Sequence, residues 1–331
     1  MKGSLPAALL LVLSCGGDST GPRSDLSFSP SQATLHESEA LITDLQGSDT
    51  VTVFTWSSTN TAVATVVGLN GRGTITPVSR GVTTIQARRG GTILSLSTSV
   101  VGACDTVKIE LPFVRQTSMV RAAACGQSKQ YFSVDNNTAA PLLYKLNVRN
   151  YNFGIQSQPV ELYGGTIATA SSARGTPISF VVAAPANFAM PFSVSTFGTN
   201  QSDGSYIMDA ASVPSLSDCT RVWTIIGSSV KGVLGVNSCF RTIAGTTGQF
   251  SHDFVVNAAA GTSVLVRVVA AGFEPALEWR DNTAKPLQTA VAAAGVNTVT
   301  MRFTAVGGMH LFTLGTLGLG QSGTYTLTIE K

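Results

Sequence analysis

The sequence of 331 residues has little charge. Lys, Arg, Asp and Glu make up only 12% of it, about half of the roughly 25% that is usual in globular proteins. The net charge is +3, and the basic residues are scattered, apart from the pair Arg88-Arg89. Nucleic-acid binding needs a basic face and usually stacking aromatics, yet aromatic residues contribute only 7%. We therefore expect no nucleic-acid partner.

Long apolar runs are also missing. A transmembrane helix needs about 20 apolar residues, and the most apolar later stretch, residues 180–194, is interrupted by Pro185 and Pro191. Hydrophobic residues nevertheless make up 44% of the chain, whereas disordered chains combine low hydrophobicity with high net charge. The composition therefore predicts folded domains, and the length allows two or three of about 100–150 residues each.

Catalytic motifs are absent as well. The chain has three histidines, His36, His252 and His310. None of them lies in an H-E-x-x-H motif, and no G-x-S-x-G motif occurs. His252 adjoins Asp253, but neighbouring residues of a strand point to opposite faces, so the two are poor partners for a proton relay. The sequence predicts structural or exposed histidines, no enzyme and no cofactor.

Acidic residues offer two weaker possibilities. Glu274, Glu278 and Asp281 are close in sequence, and two carboxyl groups can perform acid–base work on a sugar, but we expect these three on solvated faces. Oxygen-rich segments around Asp135 and Asp203 could supply ligands for calcium, although such residues are also good turn formers. We predict no metal site and retain Asp135 and Asp203 as the calcium candidates.

The five cysteines divide into Cys15 near the N-terminus and four later residues, Cys104, Cys125, Cys219 and Cys239. The spacings are 125 − 104 = 21 and 239 − 219 = 20. This repetition favours one local disulfide in each of two repeated units, although four cysteines allow three pairings. Zinc is the alternative, but no C-x-x-C occurs and no His is near these cysteines in the sequence. Disulfides indicate an oxidising, extracytoplasmic setting.

The N-terminal residues indicate export and anchoring. Residues 5–13 form an apolar run after Met1-Lys2, too short to span a bilayer and typical of a signal peptide. Residues 12–15, Val-Leu-Ser-Cys, resemble a bacterial lipobox, although Leu13 is bulkier than usual. The resemblance implies that Cys15 is acylated and anchors the chain in a membrane. An ordinary cleaved signal peptide, with Cys15 a bystander, is the alternative.

The segment after Cys15 favours location in the outer membrane or at the cell surface. Residues 16–25 are rich in Gly and Ser and form a flexible tether. Gly16 follows Cys15, and it is not the Asp that signals retention in the inner membrane. We expect an extracytoplasmic, lipid-anchored protein of the outer membrane or cell surface.

Residues 26–102 contain short segments of alternating polarity separated by Gly, Asn and Ser turns, as in a β-sandwich. Residues 54–66, FTWSSTNTAVATV, resemble the signature of bacterial Ig-like group 2 domains. Residues 73–77, GTITP, and 81–87, GVTTIQA, follow in the order of that family. The resemblance implies an Ig-like sandwich in which Trp56 and Val63 belong to the core. A ligand role for Trp56 is the alternative.

The remainder contains an internal repeat. Its two copies begin at Cys104 and Cys219, which are 219 − 104 = 115 residues apart. Residues 130–135 correspond to 252–257, residues 142–148 to 263–268, and residues 201–206 to 321–325. The second copy has a longer insertion after its cysteine pair. We assign residues 103–216 to the first copy and residues 217–331 to the second.

The second copy resembles the bacterial pre-peptidase C-terminal domain. The likeness is carried by residues 273–281, FEPALEWRD, with 299–305 and 320–329; the family usually has Asp where Glu274 stands. The first copy retains residues 160–163 and 179–182 of this pattern. The resemblance implies two jelly-roll-like sandwiches. We therefore expect an all-β chain of three tandem β-sandwiches.

The module types suggest the function. Ig-like group 2 domains occur in bacterial surface and adhesive proteins, and pre-peptidase domains accompany secreted hydrolases as accessories; no hydrolase domain is recognisable here. The resemblances imply a non-enzymatic surface lipoprotein that mediates adhesion or binding to protein or polysaccharide. A structural envelope scaffold or stalk, or an accessory partner of a secreted hydrolase, is the alternative.

Overall fold

A computed structural model gives the arrangement of most of the chain. It describes residues 26–29, 31–48, 52–119, 129–149, 161–162, 165–166, 178–195, 204–281 and 285–331. These residues form strands, turns and loops without a helix, which confirms the predicted all-β fold. The predicted signal peptide and lipobox (1–15), the tether (16–25), Cys125 and Asp203 lie outside the described residues.

The first sandwich consists of two sheets. One contains β1, β3, β6 and β5, and the other contains β2, β8, β7 and β4. Their inward-facing side chains, among them Leu35, Leu41 and Ile85, are fully buried between the sheets. The strands are β1 (Ser27–Ser29), β2 (Gln32–His36), β3 (Glu39–Gln46), β4 (Thr55–Ser58), β5 (Ala64–Leu69), β6 (Arg72–Pro77), β7 (Gly81–Arg89) and β8 (Thr92–Val101).

Trp56 packs against this core on a floor made by two glycines. Gly68 of β5 and Gly73 of β6 face each other in the sheet, and a Cβ atom on either would overlap the indole ring. The indole Nε1 donates to the carbonyl of Asn70 at 3.1 Å. Trp56 and the buried Val63 thus have the core positions expected from the sequence.

The second sandwich has the sheets β10-β17-β12-β15 and β14-β13-β16-β11-β9. Aromatic and aliphatic side chains, among them Phe132, Leu146 and Phe180, fill the space between them. The strands are β9 (Thr106–Ile109), β10 (Phe113–Met119), β11 (Lys129–Asn136), β12 (Leu142–Arg149), β13 (Glu161–Leu162), β14 (Gly165–Thr166), β15 (Ile178–Ala184), β16 (Phe188–Ser195) and β17 (Gly204–Ser212).

The third sandwich has the sheets β19-β27-β22-β25 and β18-β21-β26-β23-β24, with β20 added beside β21. Its core includes Phe254, Phe312 and Leu327. The strands are β18 (Val222–Ile225), β19 (Ser229–Leu234), β20 (Cys239–Ile243), β21 (Thr246–Ala258), β22 (Ser263–Ala271), β23 (Pro275–Arg280), β24 (Pro286–Val291), β25 (Thr298–Thr304), β26 (Gly308–Thr316) and β27 (Gly323–Glu330).

The second and third sandwiches share one topology. Each strand of the second sandwich has an equivalent in the third: β9, β10, β11 and β12 correspond to β18, β19, β21 and β22, and β13 to β17 correspond to β23 to β27. With these equivalents the strand order of both sheets is the same in the two sandwiches. Even the parallel pair β9–β11 has its counterpart in β18–β21. The registers match Gln130 with His252 and Tyr206 with Tyr325. The internal repeat is therefore a repeat of structure, and β20 is the insertion.

Strand pairing joins all three sandwiches. β3 pairs with β10 in antiparallel orientation, and β15 pairs with β18 in parallel orientation, so one sheet of fourteen strands runs from β5 to β24. At the second joint, Val181 and Val222 face the core of the third sandwich, whereas Val182 and Trp223 face that of the second. The two cores therefore lie on opposite faces of the same sheet.

The face of the second sandwich that contacts the third is apolar, whereas the equivalent face of the third sandwich is polar. Leu143, Val181 and Ala183 of the second sandwich pack into the core of the third. The registers make Ser263, Arg302 and Thr304 their equivalents in the third sandwich. There the Arg302 guanidinium donates to the Ser263 hydroxyl at 3.0 Å. The third sandwich thus covers its equivalent face with polar groups, as terminal repeats of an array do.

Substitutions at the two equivalent positions 181 and 302 should differ strongly in their effect on stability. Val181→Arg would bury a charge without a partner at the joint, and we expect it to lower the free energy of unfolding by about 3 kcal/mol or more. Arg302→Val changes an exposed position, and we expect an effect of about 0.5 kcal/mol or less. Denaturant unfolding of both variants measures the difference, and equal effects would show that the joint does not bury Val181.

Candidate functional site

The structure separates the three acidic residues that are close in sequence. Glu274 accepts a hydrogen bond from the backbone N–H of Gly295 at 2.6 Å. Asp281 accepts one from the backbone N–H of Lys285 at 2.9 Å in the turn after β23. Glu278 alone points into a buried environment. Glu274 and Asp281 therefore stabilise loops, and the predicted acid trio does not converge on one site.

Glu278 belongs to a buried polar row that crosses three neighbouring strands. Glu278 lies opposite Thr313, which lies opposite Asp253. The Thr313 hydroxyl donates to Asp253 at 2.9 Å, and Arg241 and Arg280 form ion pairs with Asp253 and Glu278 respectively. An arginine at each end thus balances the two carboxylates.

The expectation that Glu278 faces solvent is wrong because the β20–β21 hairpin covers it. The backbone N–H of Ala244, in the turn of this hairpin, donates to Glu278 at 2.8 Å, and Arg280 donates to the carbonyl of Thr242 at 3.0 Å. Acid–base work on a sugar needs carboxyl groups that reach the substrate, whereas Glu278 and Asp253 are both buried. The row has the chemistry of a structural network.

His252 and Asp253 lie on opposite faces of β21, as expected. His252 points into the third core, where its Nδ1 is 2.7 Å from the hydroxyl of Tyr325 and its Nε2 is 3.0 Å from the hydroxyl of Ser238. Burial lowers the pKa of His252 to about 4 and outweighs the opposing charges of Asp218 and Asp253. The ring is therefore neutral at pH 7.

This Ser–His–Tyr chain is closed to solvent, because Ser238, His252 and Tyr325 are all buried. A nucleophilic serine has to reach its substrate, whereas the Ser238 hydroxyl accepts from the backbone N–H of Gly235 at 3.1 Å and lies 3.4 Å from the carbonyl of Val233. Burial also raises the pKa of Tyr325 well above its ordinary value, which keeps its proton in place.

The second sandwich contains the same bridge with a different residue. The hydroxyl of Tyr206 donates to the Oε1 of Gln130 at 2.5 Å, and these two residues are equivalent to Tyr325 and His252. In each sandwich the bond links a strand of one sheet to a strand of the facing sheet across the core. The repeated geometry identifies the bridge as a structural element of the fold.

Glu39 forms a second buried network, between the first and second sandwiches. Its carboxylate accepts from Nε of Arg115 at 2.6 Å and from the hydroxyl of Thr117 at 2.7 Å. Nδ1 of His36 is 3.0 Å from the same carboxylate, and Nε2 lies 3.0 Å from the carbonyls of Asp105 and Tyr131. The contacts of the His36 ring therefore reach β3, the segment before β9, and β11.

The charge of Glu39 is stable in this network. Burial by itself would raise its pKa, but the positive charge of Arg115, together with the contacts to His36 and Thr117, lowers it to about 2. The guanidinium of Arg115 also lies over the ring of Phe132, 5.7 Å from its centroid. The network therefore ties β2 and β3 of the first sandwich to β10 and β11 of the second.

His310 is the third histidine, and it is also buried. Its ring lies between Trp279 and Phe303, at centroid distances of 5.8 and 5.2 Å. Its Nε2 has no hydrogen-bond partner among the described residues, and burial lowers its pKa. His310 is therefore a buried structural histidine that packs against aromatic rings, and these rings offer its Nε2 no acceptor.

The calcium candidate that can be examined is engaged in other contacts. Asp135 accepts from the hydroxyl of Ser133 at 2.9 Å and pairs with the ammonium group of Lys108 at 3.2 Å. The neighbouring Asn136 binds backbone groups of its own turn. Within the described ranges, no group of three or more His, Cys, Asp or Glu side chains is close enough to hold a metal ion. Asp203 lies outside those ranges.

One of the two expected disulfides is seen in full. Cys219 and Cys239 are bonded, which removes the zinc alternative for these two residues. Cys104 is also disulfide-bonded, but Cys125 lies outside the described residues, so the Cys104–Cys125 pairing stays a prediction. Cys239 begins β20, and the bond ties the inserted hairpin to the segment before β18.

An open groove of about 410 Å³ lies on the outer face of β19, β27 and β22. Lys231 and the hydroxyls of Ser215, Thr324 and Thr326 line it together with Val233 and Val269. In the described part of the chain no carboxylate pairs with Lys231. The groove therefore combines one free cation, several hydroxyls and small apolar side chains on an accessible surface.

Comparisons with known proteins show no family for this chain. No family model matches it, and no curated protein matches it. No described segment forms a helix with the length and apolarity needed to cross a bilayer.

Three solved structures illustrate a distant likeness to this chain. The pre-peptidase C-terminal domain of a Bacillus anthracis collagenase is 15% identical with a TM-score of 0.26, and the match covers 36% of this chain and 98% of that domain. A surface-associated copper-binding protein of Methylomicrobium album BG8 is 10% identical with a TM-score of 0.24, covering 34% and 98%. A triple jelly-roll turret protein of an archaeal virus is 9% identical with a TM-score of 0.25, covering 87% and 76%. At such scores these likenesses decide nothing about function.

The structure predicts a pH dependence that residue 252 controls. Between pH 6.5 and about 4 His252 is protonated in the unfolded chain and neutral in the folded chain. The contribution of His252 to the free energy of unfolding is therefore full above this pH range and is lost as the pH falls through it. The loss is on the order of 3 kcal/mol. His252→Gln copies Gln130 of the second sandwich and should flatten this dependence while the fold is kept.

Denaturant unfolding at pH 7, 5.5 and 4 measures the effect. The wild type should lose more stability than the His252→Gln variant over this range. The difference between the two isolates residue 252, because every other titratable group is present in both proteins. Identical pH profiles would contradict the buried neutral imidazole.

Proposed function

We propose that this protein is a non-enzymatic cell-surface lipoprotein that mediates adhesion or binding to a protein or polysaccharide, held in the envelope through an acylated Cys15. The groove on the third sandwich carries this proposal. His252 and Glu278 are held in buried hydrogen bonds and an ion pair, whereas the groove is accessible and contains the exposed Lys231.

The lining suits a polar, extended ligand. Serine and threonine hydroxyls can exchange hydrogen bonds with sugar hydroxyls or peptide groups, and the small apolar residues Val233 and Val269 leave room for close approach. The ammonium group of Lys231 favours an acidic polysaccharide or an acidic peptide. The resemblance to Ig-like and pre-peptidase modules agrees with this role by analogy.

Binding by full-length protein tests the groove. Lys231→Glu should weaken capture of an acidic polysaccharide, screened on an array, by about tenfold, which corresponds to about 1.4 kcal/mol. Arg88→Glu makes the same change of charge on the first sandwich, and we expect it to bind normally. Absence of binding to any acidic polysaccharide or peptide, or an equal loss in both variants, would contradict the groove as the site.

The anchor is tested separately. Cys15→Ser removes the acylation site and should move the protein from the membrane fraction to the soluble fraction, with loss of incorporated labelled fatty acid. The unchanged disulfide Cys219–Cys239 serves as a check that export is intact. Retention of the variant in the membrane fraction would contradict lipid anchoring.

A stalk or envelope scaffold is the second candidate function. The observation that favours it is the continuous sheet of fourteen strands, which joins the three sandwiches by backbone hydrogen bonds where flexible linkers could have stood. A stalk needs no groove, so it predicts that Lys231→Glu leaves crosslinking to other envelope components unchanged.

A further inference from the structure

The strand β5 is an unprotected edge of the fourteen-stranded sheet. It pairs with β6 on one side, and no strand of the described residues pairs with its other side. Its sequence, ATVVGL, has no charge and no proline. Val67 and Leu69 are 79% and 76% exposed. An exposed, uncharged, apolar edge strand is a template for pairing with another strand.

Four other edge strands carry a device that protects them. β24 begins with Pro286, β25 carries the exposed Arg302, and β9 carries the exposed Lys108. The outer side of β19 is covered by Leu216, which donates to the carbonyl of Lys231 at 2.9 Å and accepts from the N–H of Val233 at 2.7 Å. Proline, inward or edge charges and covering loops are the usual protection of sheet edges; β5 has no proline and no charge, and no described strand covers its outer side.

Edge strands of neighbouring sandwiches already pair at two other places in the same sheet. β3–β10 and β15–β18 are such joints, and β5 lies on the far side of β3 in this sheet. A strand without charge can pair with its own copy, because no like charges meet across a two-fold axis. A second copy of this chain is therefore the occupant that we consider.

The backbone pattern fixes one register for such a pair. Val63 accepts a hydrogen bond from Val78 of the neighbouring segment at 2.8 Å, and Ala64 lies opposite Pro77, which has no N–H. Because bonding alternates along an antiparallel strand, Val66 and Gly68 point their backbone groups to the free side. Val66 facing Gly68 of the other copy is the two-fold register that uses these groups alone. The two neighbouring registers would bring in Ala64, whose N–H bonds to the carbonyl of Asn60 at 3.2 Å, or Asn70, whose carbonyl accepts from Trp56 at 3.1 Å.

We propose that two copies of this protein associate through β5, in antiparallel orientation and with the two-fold axis at Val67. Val67 then faces Val67 of the other copy in a pair without direct hydrogen bonds, where Cα atoms are about 4.5 Å apart. Leu69 faces Thr65 of the other copy. The pairing extends the sheet across both chains and covers the exposed apolar side chains.

Crosslinking tests the register in the full chain with Cys15→Ser, which removes acylation and the spare thiol. Val67→Cys should form a disulfide-linked dimer under mild oxidation, because the expected Cα distance lies in the disulfide range. Leu69→Cys should not, since its own equivalent is about four residues away along the strand. Val82→Cys, at 67% exposure on β7, is the control for random collision and should stay monomeric.

Sedimentation measures the association without a crosslink. The unmodified edge should give twice the mass of one 34.3 kDa chain, Val67→Lys should give monomers, and Val82→Lys should remain dimeric. Unfolding midpoints of the two lysine variants should agree, since both positions are exposed. A monomeric protein at all concentrations, a dimer that survives Val67→Lys, or equal crosslinking at residues 67 and 82 would overturn the proposal.

Discussion

Unpaired backbone groups at the edges of sheets are the constraint that organises this molecule. Each β-sandwich exposes edges whose N–H and C=O groups need partners. Four of these edges are satisfied inside the chain, in the pairs β3–β10 and β15–β18. The consequence is that three modules, each with its own hydrophobic core, share one sheet. Neighbouring modules are therefore fixed in register as well as in sequence.

Buried polar contacts give this arrangement its specificity. Glu39 receives hydrogen bonds from the first and second sandwiches at once, and an uncharged replacement would leave Arg115 buried without its partner. Inside the repeated sandwiches, Tyr206 and Tyr325 bridge the two sheets through Gln130 and His252. The second and third sandwiches differ where their neighbours differ: Val181 faces a core, and its equivalent Arg302 faces solvent.

Much of the fold could be predicted from the sequence, because alternation and turn residues are local signals. The all-β class and the Cys219–Cys239 bond follow from pattern and spacing, and the core position of Trp56 follows from the resemblance to Ig-like group 2 domains. The repeat was visible in residues 130–135 and 252–257, although the meaning of Gln130 and His252 was not, since their tyrosine partners are 76 and 73 residues away. Contacts at such separations leave no mark in a single sequence.

The candidate site was harder to predict for the same reason. Glu278 stood beside Glu274 and Asp281 in the sequence, yet its neighbours in space are Thr313 and Asp253. The hairpin that buries Glu278 was recognisable only as an insertion. The joints between modules were missed, because β10 and β18 read as ordinary strands and nothing local shows which edge a strand will meet. Arg302 in place of an apolar residue was the available signal for the last module.

The most direct test of the shared sheet is amide hydrogen exchange at its two joints in the native protein. The amides of β3, β10, β15 and β18 that face across the joints should be protected as strongly as those between β7 and β8 inside the first sandwich. Both joints should also lose protection together with the modules they connect. Exchange at the joints near the rate of exposed loops, with protected module interiors, would show that the sandwiches are separate units and contradict the account.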